Sequence, residues 1–113
     1  MFDIKNSPLG VGGICYNITI KINPQIEQEW ITWQKEEHIP DIMSTELFNE
    51  YKFFKLLDQD ESEGITYAVQ YFSSSIEHYK KYIQQFAPLL RGKALAKWGD
   101  RFIAFRTVME VVN

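Results

Sequence analysis

His38 is the residue of this chain best suited to acid–base chemistry, because an imidazole exchanges a proton near neutral pH. It ends a helical pattern in the run Glu36-Glu37-His38, where a base beside an open cavity could move a proton. A second interpretation stays open, namely a solvated helix C-terminus that favours a cationic imidazole. The sequence supplies no nucleophile or second base at diagnostic spacing, so the predicted catalytic site is His38 alone.

A set of aromatic side chains is the second feature that could carry function. They could line an apolar pocket in which tyrosine hydroxyls and one amide orient a small apolar or aromatic ligand. The predicted ligand-binding residues are Asn17, Trp30, Trp33, Tyr51, Phe53, Tyr67 and Tyr71. The alternative is that aromatic residues at helical and strand spacing only fill the core.

Several other kinds of site are not expected. No cluster of His, Cys, Asp and Glu has metal-site spacing, so we predict no bound metal. The glycines at 10, 12 and 13 precede a strand, whereas the glycines of a phosphate-binding loop follow one, so we predict no cofactor. The segment before the second hairpin strand lacks the basic and aromatic signature of RNA-recognition domains, and the net charge of -3 disfavours nucleic acid. No stretch approaches the roughly 20 apolar residues that cross a bilayer, so no membrane partner is expected.

The first two elements must position Asn17, the tryptophans and His38. Residues 14–22 alternate apolar and polar side chains and predict a strand, and Asn23-Pro24 predicts a helix start. Trp30 and Trp33 share one apolar stripe of this helix, whereas Gln34 is assigned to the other side. Pro40 lacks an amide donor, so the helix should stop or kink near His38.

The remaining elements follow from similar patterns. Residues 50–57 and 65–72 read as two strands joined by an acidic turn that ends in Gly64. Ser74 and Glu77 match a capping box that starts a second helix, which Pro88 restarts and which reaches about Trp98. Residues 101–112 predict a final strand, whose Arg101 and Arg106 could pair with the acidic turn or with a partner subunit.

The element order β-α-β-β-α-β predicts an α+β fold of the ferredoxin-like type, a four-stranded antiparallel sheet with its helices on one face. Strand two carries Tyr51 and Phe53 on one side and Phe54 on the other, and strands three and four also have apolar residues on both sides. Apolar burial stabilises by about 25 cal/mol per Å², so the second face should be covered. We expect a homodimer through the sheet face, that is, a dimeric α+β barrel.

The chain length and the cysteine content limit the possible domain organisation and cellular location. A chain of 113 residues is one ordinary domain, which we place at residues 14–113, and the glycine-containing residues 1–13 should form a flexible leader. Cys15 is the single cysteine, so no internal disulfide can form. We therefore expect a reducing, cytoplasmic location.

Several motifs also carry a family resemblance over about residues 14–112. They are Tyr16-Asn17-Ile18-Thr19, Trp30-Ile31-Thr32-Trp33, Glu37-His38-Ile39-Pro40-Asp41, Gly64-Ile65-Thr66-Tyr67, Gln70-Tyr71-Phe72 and the run Gly99-Asp100-Arg101-Phe102-Ile103-Ala104-Phe105-Arg106-Thr107. Together they are similar to a small bacterial family, a domain of unknown function that brings no established activity. The aromatic helix that ends in His-x-Pro also resembles dimeric α+β barrel enzymes of the ethyl-tert-butyl-ether-degradation and stress-responsive groups.

Two functions therefore stand as expectations. The first is a homodimeric barrel that binds a small apolar or aromatic molecule or serves as a structural or regulatory module. The alternative, implied by the second resemblance, is a cofactor-independent monooxygenase or isomerase. In it His38 would move a proton, while Trp33, Tyr51 and Tyr67 would position a flat substrate.

Overall fold

A four-stranded antiparallel sheet forms one layer of the fold. The computed structural model describes residues 10–113, with strands β1 (Ile14–Ile22), β2 (Glu50–Lys55), β3 (Ile65–Ser73) and β4 (Phe102–Glu110). Their order across the sheet is β2-β3-β1-β4, and all three neighbouring pairs are antiparallel. The predicted ferredoxin-like α+β fold is thereby confirmed.

The first helical segment contains an irregularity that positions the candidate site. After Asn23, whose side chain caps a short 3-10 turn, α1 (Glu27–Trp33) runs into a π-helical turn at Gln34–His38 and continues as α2 (Ile39–Met43). The Ile39 amide donates to the Gln34 carbonyl, five residues back. Of the two predicted effects of Pro40, a stop or a kink near His38, the helix does not stop there but has an irregular turn, whose wider spacing accommodates a residue that has no amide hydrogen.

The second helical segment is divided at Phe86 into α3 (Ile76–Gln85) and α4 (Ala87–Trp98). The predicted capping residue is wrong by one position. Ser75, with extended backbone, accepts from the His78 amide, whereas Ser74 makes no such bond. The buried Ser73 hydroxyl explains the shift, because it bonds the backbone of Ser75 and holds that residue at the helix start.

The core lies between the helices and one face of the sheet. Residues of even number on β1 and β4, and of odd number on β2 and β3, point to this face because side chains alternate along a strand. The largest fully buried side chains include Trp30, Tyr16 and Tyr71. Within residues 10–113, no helix combines the length and the hydrophobicity needed to cross a lipid bilayer.

The other face of the sheet, here called the open face, is mixed in character. Its two central strands present polar residues such as Asn17, Thr19 and Gln70, so the expected apolar character on both sides of strand three holds only in part. Exposed apolar side chains concentrate on the edge strands. They are Phe54 on β2 and Ile103, Phe105 and Met109 on β4.

The chain before β1 is described only from Gly10 onward, so residues 1–9 of the predicted leader lie outside the described residues. The Gly12 amide donates to the Val111 carbonyl at 2.9 Å, and the Val111 amide donates to the Gly13 carbonyl at 2.8 Å. These bonds continue the β1–β4 pairing beyond Ile14. Cys15 is a buried free thiol, and the cytoplasmic location inferred from it stays a prediction.

Candidate functional site

A cavity of about 40 Å³ lies between the helices and the core face of the sheet. Its walls come from six segments that are distant in sequence, namely β1, α1, the π-helical turn, β3, α4 and β4. The lining residues are Ile18, Ile20, Trp30, Trp33, Gln34, His38, Val69, Tyr71, Arg91, Ala94, Trp98, Phe102, Ala104 and Arg106. All three tryptophans of the chain are among them.

Three residues on this cavity carry buried polar atoms without a hydrogen-bond partner in the described part of the chain. These atoms are the side-chain oxygen of Gln34, the hydroxyl oxygen of Tyr71 and the indole nitrogen of Trp98. The three residues are only 3%, 0% and 2% exposed, respectively. Leaving a buried polar group unpaired costs about 1 to 3 kcal/mol, so such groups call for an explanation at the place where they gather.

The π-helical turn explains how Trp33 and His38 come together. In an α-helix, side chains five residues apart diverge by about 140°, because each residue turns the chain by about 100°. The wider π turn brings them onto one side, and the two rings stack with centroids 4.5 Å apart and planes inclined by 19°. Gln34, one α-helical turn after Trp30, begins the π-helical turn and also lines the cavity.

His38 lies at the boundary between the cavity and the surface. It also lines an outer groove of about 360 Å³ together with Trp33, Asp41 and Lys93. Burial lowers the pKa of His38 from 6.5 to about 4, with Arg106 and Lys93 also lowering it and Asp41 opposing them. The imidazole is therefore neutral at pH 7 and can both donate and accept a hydrogen bond.

The charged side chains of the cavity are both cationic. Arg91 donates to the Tyr16 hydroxyl at 3.0 Å, and Arg106 stands beside Ile18 on the neighbouring strand. Both arginines are exposed, which places them at the solvent side of the lining. Burial raises the pKa of Tyr71 well above 10, so its hydroxyl keeps its proton.

The structure brings four of the eight predicted site residues onto one cavity, namely Trp30, Trp33, His38 and Tyr71. Tyr67 and Phe53 lie behind them, because both rings pack on Trp30 with centroids 5.1 and 5.8 Å away. The Tyr67 hydroxyl faces outward and donates to Glu27 at 2.6 Å.

The other two predicted site residues lie apart from this cavity. Asn17 is on the open face of the sheet, where its amide donates to the Thr19 hydroxyl at 3.0 Å. Tyr51 is exposed near the start of the edge strand β2. Neither residue lines the cavity.

Sequence reasoning missed Gln34, Arg91 and Trp98 as site residues and placed Gln34 on the wrong side of its helix. The overlooked signal is spacing, because Gln34 follows Trp30 by four residues and therefore continues the apolar stripe. Arg106 lines the cavity and has no carboxylate oxygen within 4 Å among residues 10–113, so it does not pair with the acidic turn, and its pairing with a partner subunit stays a prediction. Arg101 instead donates to the carbonyls of Trp98 and Lys97 at the end of α4.

The geometry of the cavity bears on two kinds of binding, that of a metal ion and that of an organic ligand. Among the described residues, no group of three or more His, Cys, Asp or Glu side chains could hold a metal ion. What the cavity offers instead is an apolar, tryptophan-rich wall with a few hydrogen-bonding groups and one neutral imidazole. Such a wall suits a small organic ligand.

Comparison with known proteins gives one family and a set of shared folds. A family model described as a domain of unknown function (DUF4286) matches residues 13–112. A comparison with curated proteins gives no match. The fold is similar to that of SnoaB, a cofactor-independent oxygenase from Streptomyces nogalater, with 6% identity, a TM-score of 0.60 and coverage of 87% of this chain and 91% of that one.

Two further solved structures share the fold. One is an ethyl tert-butyl ether degradation (EthD) family protein from Bacillus halodurans, with 12% identity, a TM-score of 0.63 and coverage of 86% and 97%. The other is a dimeric protein of unknown function and ferredoxin-like fold from Bacteroides fragilis, with 14% identity, a TM-score of 0.57 and coverage of 88% and 96%. At these identities the similarity concerns the fold alone.

Proposed function

The chain belongs to the DUF4286 family, a domain of unknown function, and we propose that it binds a small apolar or aromatic molecule at the cavity between its helices and its sheet, with part of the molecule in the adjoining outer groove. The observation that carries this proposal is the gathering of three unpartnered polar groups, on Gln34, Tyr71 and Trp98, around one cavity. A bound molecule that pairs these groups would recover the free energy their burial costs.

The free-energy cost of the three unpaired groups is large. Three unpaired groups at about 1 to 3 kcal/mol each are a large fraction of the ~5 to 15 kcal/mol by which a typical domain is stable. In a purely structural core, apolar side chains could stand in their place with no loss of stability. Their presence beside Trp30 and Trp33 supports a binding site, where unmet hydrogen-bonding capacity serves a ligand.

A fluorescence titration tests this proposal, because the three tryptophans all line the cavity and report directly on its occupancy. We expect saturable changes on titration with phenylacetate, phenylacetamide or indole. Ala94→Leu should remove the response, because Ala94 lines the cavity and a larger side chain fills the space. Gly92→Leu is the matched control on the same helix, where an added Cβ meets no atom within 4 Å.

Two results would contradict the binding proposal. One is the absence of a saturable response to all three probes. The other is a response that is unchanged in Ala94→Leu while the variant is folded by circular dichroism, since the probes would then occupy some other site.

We further propose that two copies pair through the open face to form a dimeric α+β barrel. Phe105 on this face is 64% exposed, and Phe54, Ile103 and Met109 lie on the same side of the sheet. Covering such side chains removes apolar area from water, at about 25 cal/mol per Å². The dimeric protein of the same fold from Bacteroides fragilis also supports this arrangement.

Sedimentation equilibrium at micromolar concentration tests the dimer. We expect a dimer for the unmodified protein and a monomer for Phe105→Lys, because an isologous interface would bury the new charge twice. Leu89→Lys is the matched control, since Leu89 is 65% exposed but lies on α4. A monomeric unmodified protein, or equal effects of both substitutions, would refute the sheet-face dimer.

The alternative function, acid–base catalysis by His38, has one observation in its favour. The imidazole lies between the cavity and the outer groove, so it could pass a proton between a bound molecule and solvent. The lowered pKa counts against it, because a base of pKa about 4 abstracts protons weakly at neutral pH. Hydrogen–deuterium exchange of phenylacetone, followed by NMR, tests this role. A catalytic role requires that the protein accelerate the exchange and that His38→Gln abolish the acceleration.

A further inference from the structure

The charges around the cavity are of one sign. Arg91 and Arg106 line it, while no aspartate or glutamate of the described residues 10–113 does. Within residues 10–113, neither guanidinium has a carboxylate oxygen within 4 Å, although three lysine–carboxylate pairs occur elsewhere. A guanidinium presents paired N–H donors that match the two oxygens of a carboxylate, so these side chains are equipped for an anion that the protein itself does not supply.

The charges around His38 are mixed in sign. Arg106 and Lys93 both act on the imidazole as cations, and both lower its pKa. The opposing carboxylate, Asp41, lies in the outer groove with Lys93 at 3.9 Å. Asp41 has the largest effect of any charge on His38, but it does not line the cavity, where Arg91 and Arg106 are the charged side chains among residues 10–113.

The size of the cavity limits which part of a ligand it can hold. About 10 to 15 Å³ of such space accommodates one water molecule, so about 40 Å³ corresponds to roughly three non-hydrogen atoms. A carboxylate group has three. The outer groove shares Trp33 and His38 with the cavity and has room for a larger apolar remainder.

From these observations, and resting on the proposed binding function, we infer that the ligand is an organic acid whose carboxylate occupies the cavity and is recognised by Arg106 and Arg91. The indole N–H of Trp98 and the hydroxyl of Tyr71 supply further donors for its oxygens, whereas Gln34 Oε1 is an acceptor that a carboxylate leaves unpaired. The aromatic or aliphatic body of the acid lies against Trp33 in the outer groove.

Phenylacetate and phenylacetamide test this inference, because they have the same shape and differ in charge. We expect phenylacetate to quench the tryptophan fluorescence with an affinity at least about ten-fold higher, as hydrogen bonds to a charged group predict. Arg106→Gln should remove most of this preference and leave the affinity for phenylacetamide unchanged. Lys80→Gln is the matched control, with the same change in net charge on the exposed side of α3.

The outcomes separate the two proposals. Equal affinities for the acid and the amide would overturn the anion inference and leave the binding proposal standing, whereas no saturable response to phenylacetate, phenylacetamide or indole would overturn both. Equal losses in Arg106→Gln and Lys80→Gln would also refute the inference, because net charge alone would then explain them. If Arg106→Gln fails to fold, Arg91→Gln repeats the test on α4, where the same loss of preference is required.

Discussion

The lowered pKa of His38 predicts a specific loss of stability in mild acid. The unfolded chain takes up a proton at the ordinary pKa of 6.5, whereas the folded protein resists until about pH 4. The contribution of neutral His38 to the free energy of unfolding is therefore complete above pH 6.5 and is lost as the pH falls toward 4. At about pH 5 the difference amounts to ~2 kcal/mol, from 1.36 kcal/mol per pKa unit and the partial protonation of the unfolded state.

Urea denaturation at about pH 7.5 and about pH 5 measures this effect. Carboxylates contribute to acid sensitivity as well, so the quantity of interest is the difference between the unmodified protein and His38→Gln. The variant loses the stacking contact with Trp33 at both pH values, and this loss cancels in the comparison. We expect the unmodified protein to lose ~2 kcal/mol more than the variant over this interval.

The exposed His78 provides the matched control, because His78→Gln removes an imidazole that does not line the cavity. NMR titration of the His38 ring gives an independent readout. Equal acid sensitivity of the unmodified protein and His38→Gln, or a ring titration midpoint near 6.5, would refute the reasoning about burial.

Three further predictions concern stability, each measured by urea denaturation. Gln34→Met should raise the free energy of unfolding by about 1 to 3 kcal/mol, because it removes an unpaired buried oxygen and conserves volume; a net destabilisation would show that the oxygen is paired. Tyr67→Phe should lower it by about 1 kcal/mol through loss of the 2.6 Å bond to Glu27, and no change would mean that this partly exposed bond contributes nothing. Gly64→Ala should lower it by more than about 1 kcal/mol, because φ is +152° and an added Cβ would approach the Ile22 carbonyl oxygen to 2.9 Å; wild-type stability would contradict this geometry.

Most of the regular elements could be predicted because their signals are local. The alternation of residues 14–22 specified β1 to the residue, and the strands at 50–57 and 65–72 were displaced by no more than two residues. The order of elements then allowed the ferredoxin-like topology to be inferred, since few arrangements of four strands and two helical segments avoid crossed connections.

The site was harder to predict because its residues converge only in the folded chain. Gln34 is polar, yet it lies on the buried side one helical turn after Trp30, and the π-helical turn that follows brings His38 beside Trp33. Asn17 looked suited to orient a ligand, but strand alternation directs it to the opposite face from Trp30. Pattern analysis treats each element separately and does not register how one irregular turn rotates its neighbours.

What the sequence determined by itself is the succession of strands and helices and the aromatic character of the core, because propensity and periodicity act over a few residues. Tertiary structure decided which side chains surround the cavity, which of their polar atoms lack a partner and how far burial lowers the pKa of His38. The physical reason is that desolvation and hydrogen-bond satisfaction depend on every group packed nearby. Residues as distant in sequence as Ile18 and Arg106 share in creating that environment.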